Sequence, residues 1–230
     1  MGFLKKFFRN VFEEDIATQT TSSFEQLDDC ALEAHLGVHK YGSFSLSDAV
    51  RPSYDLEVVP SAGFRHDTYR DENSQQNVPV LMAAASRERL FDTFLELLDP
   101  LGPVVDVVLE TSHDYRKSGH QDLYREHIDM PILQSILWDF EELLVNDGCT
   151  GIAVMNPGVP QEVQLDEHKL LIVYGKELRE YEGLMTDAEL PCRDDMRFIT
   201  EAEHVHSTNE QFMQQFEQLK MRLGIDIDEY

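Results

Sequence analysis

Apolar residues dominate the middle of the chain, where extended and helical patterns alternate between residues 78 and 155. Residues 78–85 form a nearly continuous apolar run, which is typical of a strand buried on both faces. Residues 90–98 carry apolar side chains at the spacing of one helix face, and residues 132–144 repeat that pattern on a broader face. Together with apolar stretches at 104–110 and 151–155, these patterns predict a strand–helix–strand–helix–strand unit that supplies most of the core.

The order of these elements predicts an α/β fold, with α+β as the alternative. We expect a mixed sheet built on a β-α-β-α-β-β run, with helices packed on it and right-handed crossovers between parallel strands. The run belongs to a single domain over residues 54–230, whose core occupies residues 78–174. Residues 24–53 are predicted to form a helical and irregular lead-in to this domain.

Shorter patterns predict the elements around the core. Residues 54–60 favour a strand, and the polar, turn-rich residues 61–77 favour a long exposed loop. Residues 111–128 are also polar and predict a loop that interrupts the core unit. Residues 196–200 favour a short strand.

Amphipathic helices are predicted at both ends of the chain. Within residues 1–16, phenylalanine, leucine and valine fill one side of a helical wheel, and lysine and arginine fill the other. We expect this helix to dock on its own domain or on a partner, with contact between residues 3–12 and a membrane surface as the alternative. Residues 208–223 predict the C-terminal helix, which Ser207 and Glu210 begin at the spacing of a capping box.

Charge narrows the classes of partner. The 44 acidic residues outnumber the 19 basic ones and give a net charge of −25, so we expect no direct binding of nucleic acid. A basic protein partner suits such a surface, and a solvated acidic coat is the alternative explanation. The chain contains no run of eighteen apolar residues, so no membrane-spanning helix is predicted. The pattern indicates no particular oligomeric state.

The three cysteines Cys30, Cys149 and Cys192 are far apart and include no CxxC pair. This spacing predicts neither a zinc knuckle nor a disulfide framework, and reduced thiols in a cytoplasmic protein are the natural interpretation. Cys149 lies in the sequence Asp-Gly-Cys-Thr-Gly, but a nucleophile elbow needs a glycine two residues before the nucleophile and a strand before it. We therefore expect Cys149 to be a small buried residue.

The best candidate metal ligands are Glu201, His204 and His206. On a strand the two histidines point to the same side, whereas on a helix Glu201 and His204 share a face. Regular structure therefore supports two of these ligands together, not all three. Capping and packing before the last helix are the alternative explanation.

A second candidate metal cluster, His113, His120 and His127, recurs every seven residues in the polar stretch at 111–128. On a helix, adjacent members lie about 10 Å apart along the axis, too far for one zinc ion with bonds of about 2 Å. Only a loop that folds back could bring two of them together. The alternative is a set of exposed surface histidines.

No glycine-rich phosphate loop and no assigned catalytic residue emerges from the sequence. We therefore expect an acidic, soluble, non-catalytic interaction protein, chaperone-like or immunity-like, that engages a protein partner and needs no cofactor. The alternative is a metal-dependent hydrolase that uses a His/Glu cluster and a divalent metal ion.

Overall fold

The computed structural model describes residues 22–25, 27–70, 77–113 and 120–225. Within them the chain forms six α-helices, one seven-stranded sheet and two small two-stranded sheets. The helix predicted over residues 1–16 lies outside the described residues. No helix in the described part of the chain is long and apolar enough to cross a membrane.

The helices and strands of the described residues follow one another with short connections. The helices are α1 (Asp29–Leu36), α2 (Arg87–Leu98), α3 (Met130–Asp139), α4 (Glu141–Asn146), α5 (Arg179–Asp187) and α6 (Glu210–Arg222). The strands are β1 (Lys40–Tyr41), β2 (Phe44–Ser45), β3 (Val50–Pro52), β4 (Gly63–Arg70), β5 (Asn77–Ala84), β6 (Val104–Thr111), β7 (Gln121–Asp129), β8 (Thr150–Met155), β9 (Glu162–Leu165), β10 (Leu170–Tyr174) and β11 (His204–His206).

The main sheet has the order β4-β5-β10-β9-β8-β6-β7, and all its neighbouring strands pair in antiparallel fashion. Strands β5 and β6 run in the same direction, as befits strands joined through helix α2, but β10, β9 and β8 lie between them. The expected fold of helices on a sheet is confirmed. The pairing corresponds to the α+β alternative, because the inserted strands remove every parallel neighbour that a mixed sheet would need.

Both faces of the central strands are buried, which explains the continuous apolar run at residues 78–85. Leu81 and Ala83 belong to the larger core, which helices α2 to α6 cover. Val80 and Met82 belong to a second core on the opposite face, where Phe198 is also buried. Alternation along each strand therefore places apolar side chains in both cores.

Both predicted loops contain a strand instead. Strand β4 lies in the stretch 61–77, and β7 lies in the stretch 111–128. They are the two edge strands of the sheet, and their polar side chains face solvent on one side. Edge strands need no continuous apolar run, so the hydrophobic pattern missed them.

Other predicted boundaries differ for local reasons. Residues 54–60 form turns and bends, and residues 196–200 form no strand but lead into a 3₁₀ turn at Ile199–Glu201. Asn209, and not Ser207, caps helix α6, and its side chain accepts a hydrogen bond from the Phe212 backbone. The backbone of Ser207 is engaged with Ala49 and Gly148, which prevents it from starting the helix.

Candidate metal centre

Four segments meet at one end of the main sheet. Because β6, β8, β9 and β10 alternate in direction, the end of β6, the start of β8 and the turn between β9 and β10 lie together. Strand β11 reaches the same place through its backbone, since Gly148 donates a hydrogen bond to the carbonyl of Ser207. The small sheet of β3 and β11 thus abuts the end of the large one.

Three imidazoles converge at this junction. His204 and His206 stand on the same side of β11, and His168 lies in the turn between β9 and β10. The ring centroids are 4.9 Å apart for His168 and His204, 4.7 Å for His168 and His206, and 5.1 Å for His204 and His206. One ring nitrogen from each histidine lies within 4.8 Å of the other two.

Each of the three rings is oriented by a hydrogen-bond acceptor. The Nδ1 atom of His168 lies 2.7 Å from the Asp166 carboxylate. The Nδ1 atoms of His204 and His206 lie 2.8 and 2.6 Å from the carbonyl oxygens of Ala202 and Gly148. An imidazole that donates from Nδ1 carries its lone pair on Nε2, which is the arrangement found around metal ions in proteins.

The turn that carries His168 is itself tightly held. The second carboxylate oxygen of Asp166 accepts a hydrogen bond of 2.7 Å from the Leu170 backbone, so this one side chain fixes both the turn and the ring. Lys169 adopts a left-handed backbone conformation, with φ of 64°, and its Nζ atom donates to the Thr150 carbonyl over 2.8 Å. The Asp166 and His168 side chains are each only 1% exposed.

Burial keeps the histidines of β11 uncharged. Desolvation and the neighbouring His168 lower the pKa of His204, and the same two causes lower the pKa of His206 to about 4. Both rings are therefore neutral at pH 7, and a metal ion needs a neutral imidazole. The two histidines of β11 therefore already have the protonation state that metal binding requires.

The spacing is close to that of a zinc site. Zinc–nitrogen bonds of about 2.0–2.1 Å in a tetrahedron place the nitrogens about 3.3 Å apart. The three nitrogens, within 4.8 Å of one another, need only a modest contraction to meet one ion. Three protein ligands leave the fourth position open to water, as in catalytic zinc sites.

Glu201, the third residue of the predicted cluster, stands apart from the two histidines. Its carboxylate accepts a hydrogen bond of 2.6 Å from Arg65 and another of 3.1 Å from the Phe198 backbone. The structure therefore brings together His204 and His206 and replaces Glu201 with His168.

The second predicted cluster is dispersed. Nε2 of His113 lies 2.9 Å from Asp147, His120 is 3.4 Å from Glu167, and exposed His127 lies on edge strand β7. His113 instead joins Asp147 and buried Cys149 in a separate group of metal-ligand type. Burial raises the pKa of the Cys149 thiol, so it is a poor nucleophile, consistent with the structural role we expected.

A cleft opens beside the three imidazoles, and His168 and Lys169 belong to its wall. Its volume is only about 30 Å³, enough for a water molecule or two, and most of the wall is apolar, with Arg87 and Arg197 as the guanidinium groups. Water in this cleft would lie next to the buried ring of His168.

Sequence reasoning missed His168, although a signal was present. The sequence Asp166-Glu167-His168-Lys169 interrupts two apolar strands, and a histidine two residues after an aspartate in a tight turn can be oriented by it. Its partners on β11 come more than thirty residues later, so no local motif records the site. Comparison of the chain with protein-family models, with curated proteins and with solved structures found no match.

Proposed function

We propose that this protein is a metal-dependent hydrolase in which His168, His204 and His206 hold a zinc ion. The observation that carries the proposal is the shared arrangement of the three rings. Each has its Nδ1 atom on an oxygen acceptor and one ring nitrogen within 4.8 Å of the others. Histidines that only pack against one another have no reason to share this orientation, whereas metal ligands do.

The chemistry follows from three imidazole ligands. An imidazole bound to a metal ion is neutral, so a zinc ion held by three of them would keep its full charge and would lower the pKa of bound water to about 7. Glu167 is the group that we assign to accept the proton, because it directly precedes the proposed ligand His168 in the turn between β9 and β10. Its carboxylate is held by a hydrogen bond of 3.0 Å from Ser112.

The cleft beside His168 indicates the class of substrate. It is too small to enclose a substrate, so a substrate would approach from its open side, and Arg87 or Arg197 in the wall suits one anionic group on it. The net charge of −25 repels anions at long range and attracts cations, so it also favours loading of the metal site.

The test is metal binding by the full-length protein, followed by activity. We expect a stoichiometric zinc content and a rise in melting temperature with added zinc. His168→Ala and His206→Ala should each remove one equivalent of bound zinc and the part of the rise in melting temperature that it causes, and zinc-dependent hydrolysis of an ester or phosphoester panel should be lost with them. His127→Asn is the matched control, since His127 is exposed and asparagine tolerates its φ of 54°.

If the protein binds no zinc, both the metal site and the hydrolase function are contradicted. Zinc binding without hydrolysis of any substrate in the panel would support the metal site and contradict the hydrolase function.

Engagement of a basic protein partner is the second candidate function. It is supported by the excess of 44 acidic over 19 basic residues. Such a complex should dissociate as salt rises, because screening weakens contacts between exposed charges. A pull-down at low and high ionic strength tests this, and salt-insensitive or absent association would contradict it.

A further inference from the structure

A second cluster of metal-ligating side chains lies on edge strand β4, apart from the three imidazoles. It contains His66 of β4 together with Cys192 and Asp194, which follow helix α5. One ligand atom from each of the three lies within 4.8 Å of the other two. All three residues are exposed, so an ion from solvent can reach them.

The backbone around Cys192 is fastened to β4. Cys192 forms a parallel bridge with Phe64, whose N–H donates to the Pro191 carbonyl over 3.0 Å and whose carbonyl accepts from Arg193 over 2.8 Å. Gly63 makes this approach possible, because a Cβ atom there would lie 2.8 Å from the Pro191 oxygen. The thiol is therefore held at a fixed distance from the imidazole of His66.

The distances fit a zinc ion. The sulfur of Cys192 lies 3.9 Å from Nδ1 of His66. Zinc bonds of about 2.3 Å to sulfur and about 2.05 Å to nitrogen place the two atoms about 3.6 Å apart in a tetrahedron. Only a few tenths of an ångström separate the observed spacing from that value.

The other nitrogen of the same ring is oriented by an acid. Nε2 of His66 lies 3.0 Å from the carboxylate of Glu182, on helix α5. In zinc sites, the histidine nitrogen that does not bind the metal is usually hydrogen-bonded to an oxygen acceptor such as a carboxylate. Two elements, strand β4 and helix α5, thus fix the ring that faces Cys192.

We propose that His66, Cys192 and Asp194 form a second metal site, which binds zinc or another thiophilic divalent ion, with Glu182 as its positioning residue. On binding, the thiol loses its proton to solvent and its sulfur forms the bond to the metal, while the oxidation states stay unchanged. Asp194 supplies an oxygen ligand, and water completes the tetrahedron. This site stands independently of the hydrolase proposal.

A nucleophilic Cys–His–Glu arrangement is the competing explanation of the same contacts. Asp194 lies beside the Cys192 thiol, and its negative charge disfavours the free thiolate that a nucleophile needs. A divalent cation neutralises the carboxylates of Asp194 and Glu182, so the surroundings favour metal binding.

Cobalt titration of the full-length protein distinguishes the two metal sites. A thiolate ligand gives an intense near-ultraviolet charge-transfer band, and three histidines give only weak visible bands. We expect the near-ultraviolet band in the wild-type protein and its loss in Cys192→Ser. The band should persist in Cys30→Ser, in Cys149→Ser and in His206→Ala, which removes a ligand of the other site.

Affinity provides the second readout. Glu182→Gln should keep the band but weaken cobalt binding about tenfold, because it removes the charge behind His66. Cys192 is exposed, so circular dichroism should show Cys192→Ser to be folded. Absence of the band from the wild-type protein at saturating cobalt, or its survival in Cys192→Ser, would overturn the proposal. Unchanged affinity in Glu182→Gln would remove Glu182 from the site.

Discussion

Asp166 and His168 form a buried pair, in which the carboxylate lies 2.7 Å from Nδ1 of the imidazole. The same carboxylate holds the Leu170 backbone with its other oxygen. One side chain thereby sets the turn, the ring orientation and the tautomer of a proposed zinc ligand. Such outer partners commonly matter as much as the ligands themselves.

Asp166→Asn should therefore weaken zinc binding about 10- to 100-fold while the fold is kept. Asparagine can still accept the Leu170 hydrogen bond with its oxygen, but it turns an NH₂ group towards His168. Nδ1 must then accept, and the ring hydrogen moves to Nε2, where the metal would bind. Competition against a chelator measures the change. Asp129→Asn is the control, since Asp129 makes no side-chain cap. Equal zinc affinity in both variants would show that Asp166 does not orient a ligand.

The Gly148 carbonyl lies 2.6 Å from Nδ1 of His206, and the neighbouring backbone leaves no room for a side chain at residue 148. A Cβ atom at residue 148 would clash with the Ala49 carbonyl and lie 2.9 Å from the Ser207 nitrogen. Both are backbone atoms of segments that lead to the small sheet of β3 and β11. Gly148→Ala should destabilise the protein by about 1–3 kcal/mol and loosen the metal site.

Gly183→Ala is the matched control for that substitution. Gly183 lies inside helix α5, and a Cβ atom there has nothing within 4 Å. Alanine should stabilise the helix by about 0.5–1 kcal/mol, because it lowers the conformational entropy of the unfolded chain. Urea unfolding should give shifts of opposite sign for the two glycines. Destabilisation by both would contradict the role assigned to the space around Gly148.

Arg65 ties edge strand β4 to the segment that precedes β11. Its guanidinium donates to the Met196 carbonyl over 2.5 Å and to Glu201 over 2.6 Å, and it lies 4.9 Å from the Phe198 ring centroid. Arg65→Lys keeps the charge but loses the planar fork and the stacking. We expect a loss of about 1–3 kcal/mol in unfolding free energy. Arg125→Lys, on the exposed side of β7, is the control, and an equal effect of both would contradict this role.

The sequence predicted the core well because burial on both faces demands continuous apolar strands such as residues 78–85. The edge strands β4 and β7 were not predicted, because one side of an edge strand faces solvent and needs no apolar residue. The distinction between a parallel and an antiparallel sheet depends on strand order, which β9 and β10 determine by inserting between β5 and β8.

The candidate site was only half visible in the sequence. His204 and His206 could be paired because strand geometry places alternate residues on one side. His168 could not be added, because its approach depends on the pairing of β3 with β11 and on the backbone contact between Gly148 and Ser207. Contacts between distant segments produce no recognisable residue spacing in the sequence.

Two buried carboxyl groups predict how stability depends on pH. Burial raises the pKa of Glu162 to about 8, and burial together with Asp122 and Asp166 raises that of Glu110 to about 8. Gln164 lies between them along the sheet and donates to Glu110 over 3.1 Å. Both groups therefore hold a proton in the folded protein at pH values where the unfolded chain has released it.

The sign of the pH effect follows from proton counting. Between the unfolded pKa of about 4.5 and the folded value of about 8, the folded state binds more protons, so stability falls as pH rises. One such carboxyl contributes a slope of up to about 1.4 kcal/mol per pH unit. Glu162→Gln keeps the neutral shape and removes this contribution. We expect the variant to be more stable than the wild-type protein at about pH 8 and nearly equal to it at about pH 5. Urea unfolding at both pH values measures the difference, with exposed Glu126→Gln as control. A wild-type slope that persists unchanged in Glu162→Gln would show that this carboxyl is ionised in the folded protein.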